Sequence, residues 1–274
     1  IRDRVEDLTS VDASPGVYFP AESFATAAQG ALADAAQPAA DLDTDVTALA
    51  DDSNSALAAS LSSAFGPKVG LYLGGTSYVS APDTAALDIT GDIDLIAHVA
   101  LDDWTPTGDN TLVSKFLTIG DQRGYAMDVS SAGVRLLWST DGAALAVKSQ
   151  SLASLGLNDG DAIWLRVTLD VDNGGSNAEI KFYSSTDGTN WTQLGDTQYV
   201  APTSIYANTA TLCVGALPNP TSYVLGTMYR AIVKDGIDGT VVADWRGDIP
   251  GTRTRDAYDN TFTLNGTSNA WKVA

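Results

Sequence analysis

The sequence predicts a mainly β protein: an antiparallel two-sheet sandwich preceded by a short helical or stalk-like segment. Three observations predict it. Apolar residues recur with period two over long stretches after residue 70. All five Asp-Gly pairs and all six tryptophans also fall after residue 70. The stretch before it is different in kind, with 15 alanines and no tryptophan, tyrosine, lysine or arginine over residues 24–64.

Residues 1–22 read as an extended arm and residues 23–66 as an alanine-rich helical linker or oligomerisation stalk. "AESFATAAQGALADAA" (21–36) is rich in the best helix former. Pro38 interrupts it, because proline lacks an N–H and disfavours helix at Gln37. A second helix starts after Asp41-Leu42-Asp43. Leu42, Val46 and Leu49, then Leu57, Leu61 and Phe65, form one apolar stripe at helical spacing. Such a stripe has no core of its own to pack on, so packing against copies of itself is the expectation, with a helix folded back on its own domain as the alternative. Residues 5–67 carry ten acids and no base, so parallel copies would gain no interchain salt bridge there. Asp41, Asp43 and Asp45 alternate as in a calcium loop but lack its glycine and distal glutamate; capping accounts for them.

From residue 70 to 274 the chain reads as strands. In "DIDLIAHVAL" (92–101), Ile93, Leu95, Ala97, Val99 and Leu101 share one face, with Asp92, Asp94 and His98 on the other. In "AIWLRVTLDVD" (162–172), Ile163, Leu165, Val167, Leu169 and Val171 face inward, and Trp164, Arg166, Thr168 and Asp170 face outward. Further strands are expected at 70–73, 77–80, 111–116, 124–130, 133–139, 145–149, 178–185, 191–195, 210–215, 226–234 and 240–246. Turn signals separate many of them, among them Asp141-Gly142, Asp187-Gly188 and Asp238-Gly239. "FYSSTDGTNWTQL" (182–194) reads as a hairpin, with Gly188 supplying the positive φ.

Charge and composition exclude several functions. Lys plus Arg is 15 and Asp plus Glu is 34, a net charge of −19. Nucleic acid and anionic membrane surfaces are disfavoured as partners, and no apolar run is long enough to span a bilayer. Cys213 is the one cysteine and reads as a small buried hydrophobe; His98 is the one histidine and reads as solvent-facing or inter-strand. The start at Ile1, with no apolar signal region behind it, reads as a fragment or a processed piece.

Several stretches together resemble the concanavalin A-like, or laminin G-like, jelly roll. They are "DITGDIDLIAHVALDDW", "TLVSKF", "GYAMDVSSAGVRLLWSTDG", "DAIWLRVTLDVDNGGSNAEIKFYSSTDGTNW", "LCVGAL" and "GTMYRAIVKDG", in that order over residues 70–274. The "SSTDGTNW" turn also resembles the Asp-box of propeller sialidases, a structural element there. "FATAAQGALADAAQPAADL" resembles the linkers of bacteriophage tail fibres and minor tail proteins. Together these resemblances imply a virion protein of tail or fibre, with self as a homotrimer, other virion proteins and a host-surface glycan as partners. The laminin G-like resemblance implies a calcium ion near a loop edge, for which Asp103, Asp109 and Asp141 could supply oxygens.

Sugars stack their C–H faces on aromatic rings and pair hydroxyls with Asp and Asn. Trp104 in the loop "DDWTPTGDN", with Asp102, Asp109 and Asn110, is therefore a candidate ligand site, and Tyr125, Trp138 and Tyr223 are further candidates. Catalysis is not expected. Jelly-roll hydrolases place two glutamates on one strand, but beyond Glu22 this chain has Glu179 alone; Asp92 and Asp94 are the remaining pair. A purely structural decoration protein, a cell-wall polysaccharide hydrolase and a bacterial adhesin are the alternatives.

Overall fold

A computed structural model describes residues 69–248, 253–266 and 271–273. The chain divides between Gly66 and Pro67, and every described residue belongs to the second unit. The expected arm, the helices and the stripe Leu42, Val46, Leu49, Leu57, Leu61 and Phe65 lie outside the described residues.

The described chain forms sixteen strands: β1 (Val69–Tyr72), β2 (Tyr78–Ala81), β3 (Ile93–Leu101), β4 (Asn110–Leu117), β5 (Gln122–Ser130), β6 (Gly133–Trp138), β7 (Ala146–Gln150), β8 (Ala162–Asp170), β9 (Ala178–Ser185), β10 (Thr192–Val200), β11 (Leu212–Val214), β12 (Gly226–Asp235), β13 (Thr240–Arg246), β14 (Arg253–Arg255), β15 (Thr261–Asn265) and β16 (Trp271–Val273). They build two antiparallel sheets of eight. Sheet A runs β10-β9-β8-β3-β12-β1-β16, with β13 also on β12; sheet B runs β14-β15-β2-β11-β4-β5-β6-β7. The fold class is the expected one, mainly β and built as an antiparallel sandwich.

Alternation explains the packing. Across sheet A, Val233, Leu95, Val167, Phe182 and Leu194 sit in register on one row. All five are buried in the core. Leu112, Met127, Val129 and Leu136 of sheet B belong to the same core. Each large aliphatic side chain removed from water contributes about 1.5–3 kcal/mol, which makes this interlayer the main source of stability.

Thirteen of the strands match the expected positions. The short strands β14, β15 and β16 were not expected, because three to five residues carry too little alternation to register. β10 runs past the expected end at residue 195, through an irregularity between Leu194 and Gln198 that breaks the period. The 182–194 stretch is the expected hairpin connection between β9 and β10.

Both "STDG" turns are built alike. Ser185 Oγ accepts the N–H of Gly188, and Asp187 Oδ1 accepts those of Thr189 and Asn190. Ser139 Oγ accepts from Gly142, and Asp141 Oδ1 accepts from Ala143 and Ala144. The side chains satisfy turn N–H groups that no strand partner reaches.

Candidate functional site

β3 is buried over its whole length, on both faces. Its inward residues belong to the core. Its outward residues, Asp94, Ile96, His98 and Ala100, are covered too. Much of that cover comes from the neighbouring strands, whose outward side chains close over the sheet as an aromatic and charged mosaic.

The first row crosses β12, β3 and β8. The rings of Tyr229, His98 and Trp164 stack in sequence, each pair with centroids 4.5 Å apart. His98 and Trp164 are directly opposed in register. Tyr229 reaches the stack because of a bulge: the pairing of β12 with β3 shifts between Met228 and Arg230. Gly70 of β1 makes room for it, since a Cβ there would fall 2.6 Å from the Tyr229 ring. His98 is thus 3 % exposed between two rings and not solvent-facing, which corrects one of the two expected placements.

The second row crosses β3, β8 and β9. Arg166 donates to both carboxylate oxygens of Asp94, at 2.9 and 2.8 Å, and to Asp238 at 2.7 Å. Its guanidinium lies 5.4 Å from the Tyr183 ring centroid and 5.7 Å from that of Trp191, within cation–π range. Lys234 adds a second cation to Asp94, at 3.4 Å. Arg166 therefore fixes two half-buried rings while its own donors are satisfied by two acids.

The third row runs along β9 and β10. Lys181 pairs with Glu179 at 2.8 Å, and Asn173 donates to the same carboxylate at 2.8 Å. Lys181 and Asn173 hold the Glu179 carboxyl below its usual range. Tyr199 stands opposite Glu179 and is 54 % exposed. Trp164, Tyr183, Trp191 and Tyr199 thus share one face of sheet A, none of them in the hydrophobic core.

The ligand residues expected from the sequence lie elsewhere. Trp104 is 6 % exposed, Tyr125 1 % and Trp138 2 %, all within the core cluster. Each sends its polar tip to an internal partner: Trp104 Nε1 to the Asp161 carbonyl, Tyr125 hydroxyl to the Leu87 carbonyl, Trp138 Nε1 to Thr203. Their burial corrects their reading as ligand-stacking rings. Asp102 accepts from Tyr72, Asp109 pairs with Arg135, and Asn110 is buried and accepts from the Leu225 N–H. Tyr223 packs edge-on against Tyr78.

Asp103, Asp109 and Asp141 do not form the expected calcium set. Asp103 bonds Thr105, Asp109 bonds Arg135, and Asp141 caps its own turn. Among the described residues no group of three or more His, Cys, Asp or Glu side chains is placed to hold a metal. Asp94 is sealed by Arg166, and one carboxylate oxygen of the half-buried Asp92 accepts the Val171 N–H. Cys213 is buried in β11, as expected, and burial pushes its thiol up to about 11.

No family model matches this chain, and no curated protein does. Solved structures do. Domains LG4-5 of the mouse laminin α1 chain match at 13 % identity and TM-score 0.44, over 68 % of this chain and 48 % of that one. The Ruminococcus gnavus IT-sialidase CBM40 bound to α2,6 sialyllactose matches at 14 % and 0.39, over 60 % and 89 %. The native heptameric SAP-like pentraxin of Limulus polyphemus matches at 12 % and 0.37, over 59 % and 77 %. Each likeness is one of fold alone, at a TM-score below 0.5. The chain spans about half the length of the laminin structure it matches.

Proposed function

We propose that the sandwich is a non-enzymatic, carbohydrate-binding module and that the outer face of β8, β9 and β10 is its binding surface. One observation carries this: Trp164, Tyr183, Trp191 and Tyr199 stand outside the core on a single sheet face, among Arg166, Lys181, Glu179 and Gln193. Rings offer flat apolar faces to sugar C–H groups, and the charged and amide groups supply directed hydrogen bonds. Arg166 locks Tyr183 and Trp191 before any ligand arrives, which lowers the ordering cost of binding.

The chain's setting is a bacteriophage virion, as a tail-fibre or minor tail protein that displays this module toward host-surface glycans. The alanine-rich linker resemblance supports that setting, and the apolar stripe Leu42 to Phe65 supports a homotrimer. A hydrolase reading has less support, since Asp94 is held bidentate by Arg166 and Asp92 caps Val171.

Glycan arrays printed with host-wall polysaccharides test the binding role. Retention of the full chain, lost in Trp191→Ala and Tyr183→Ala, is expected. Absence of binding, or binding indifferent to both substitutions, overturns it. Light scattering of the full chain is expected to give a trimer mass; a stable monomer removes the stalk. Imaging of the assembled particle would place the chain on a tail or reject it there.

A further inference from the structure

We infer that a second ligand site lies on the other side of the same sheet, at the mouth of the sandwich interior. A cavity of about 500 Å³ opens there, within the roughly 300–1,000 Å³ typical of small-molecule sites. Leu155, Leu157 and Ile163 give it an apolar wall. Ser184, Thr192 and Asn190 give it a polar one, and Asp161 adds the single charge. Ser184 stands opposite Leu165 and Thr192 in the ladder, so its hydroxyl points inward, away from the aromatic face.

Ser184 is the deciding group. The residue is 6 % exposed and lines the cavity. No hydrogen bond engages its hydroxyl among the described residues. Its oxygen is not among the side-chain atoms sealed from water, so it opens into the cavity and is free to exchange water for a ligand hydroxyl. Thr192 beside it bears a second hydroxyl, exposed and without a bond among the described residues. Asn190 lines the cavity and has its side-chain amide nitrogen committed to Asp187, which leaves its Oδ1 as an acceptor.

The lining selects the chemistry. It contains no Lys, Arg or His, and Asp161 is negative, so carboxylated or phosphorylated ligands are disfavoured. It contains no ring, so face-stacking is not its mode. An uncharged ligand with hydroxyls along one edge and C–H groups along the other fits both walls. One or two neutral sugar units are of that kind. This site does not depend on the aromatic face, with which it shares no ring.

The test is a backbone amide NMR titration of the full chain with glucose, galactose, N-acetylglucosamine and sialic acid. Saturable shifts at Ser184, Thr186 and Thr192 with at least one neutral sugar are expected. Thr192→Trp, which fills the mouth from an exposed position, is expected to weaken that binding about tenfold or more, and Ser184→Ala to weaken it measurably. Loss of binding in Thr192→Trp and Ser184→Ala, neither of which belongs to the aromatic face, separates this site from it. No saturable shift with any neutral sugar, shifts surviving Thr192→Trp, or tighter binding of sialic acid would each overturn the assignment.

Discussion

Gly188 lies against the indole of Trp164 so closely that a Cβ on Gly188 would sit 2.7 Å from its Cε2 atom. The turn that ends β9 is therefore also the wall that holds the first aromatic of the outer face. Gly188 has φ +75°, so it is constrained twice, by backbone and by contact.

Gly188→Ala is expected to cost about 2–4 kcal/mol, from left-handed strain plus overpacking. Gly160 has φ +84°, but a Cβ there would meet nothing within 4 Å. Gly160→Ala should therefore cost only about 1–2 kcal/mol. Urea denaturation of both variants checks this, and equal losses would deny the Trp164 contact.

Acid should release the same turn. The Asn190 N–H, its side-chain amide, the Thr189 N–H and the Ser185 hydroxyl hold the Asp187 carboxyl well below its usual range. The unfolded chain then binds more protons than the folded one below about pH 3.9. The stabilisation is complete above that value and is lost as pH falls through the folded pKa. Stability measured from pH 5 downward should fall less steeply in Asp187→Asn than in the parent chain.

Lys115 is 1 % exposed and pairs with Asp83 at 2.9 Å and Asp88 at 3.0 Å, while also donating to the Asn208 carbonyl. Lys115→Met strands these acceptors. A loss of about 3 kcal/mol is expected, at the low end for a broken buried pair because both acids are partly wet. Thermal unfolding reads it directly.

Two tryptophans should behave in opposite ways. Trp104→Ala empties part of the core and should cost about 3–5 kcal/mol. Trp191→Ala removes a half-buried outer ring and should cost about 1 kcal/mol or less, with glycan retention lost instead. Similar stability losses in the two would contradict the placement of Trp191 on the outer face.

Trp164 and Trp138 differ in what their indole N–H does. That of Trp138 donates to Thr203, while that of Trp164 is buried with no partner among the described residues. Trp138→Phe should lose about 1–3 kcal/mol, because it orphans a partner. Trp164→Phe should stay within about 1 kcal/mol of the parent, since no bond is broken. Paired denaturation curves decide between them.

The outer face was half legible in the sequence. Alternation in "AIWLRVTLDVD" already set Trp164, Arg166 and Thr168 opposite the core. The loops were the misleading part: "DDWTPTGDN" carries a ring among acids, which is also what a capped core tryptophan looks like. Trp104 turns inward because the 158–161 loop offers it two acceptors, the Asp159 carboxylate for its backbone N–H and the Asp161 carbonyl for its indole. Neither acceptor is near it in sequence.

By itself the sequence determined the class of the fold, thirteen of the strands and, in β3 and β8, the face each side chain takes, because side-chain direction along a strand is a local, period-two property. Tertiary structure alone decided which outward faces meet. His98, Trp164 and Tyr229 come from strands far apart in the chain, and the bulge before Arg230 that completes their stack leaves no mark in composition. Register between distant strands is set by the whole core settling at once, so a surface assembled across strands exists only after the sheet does.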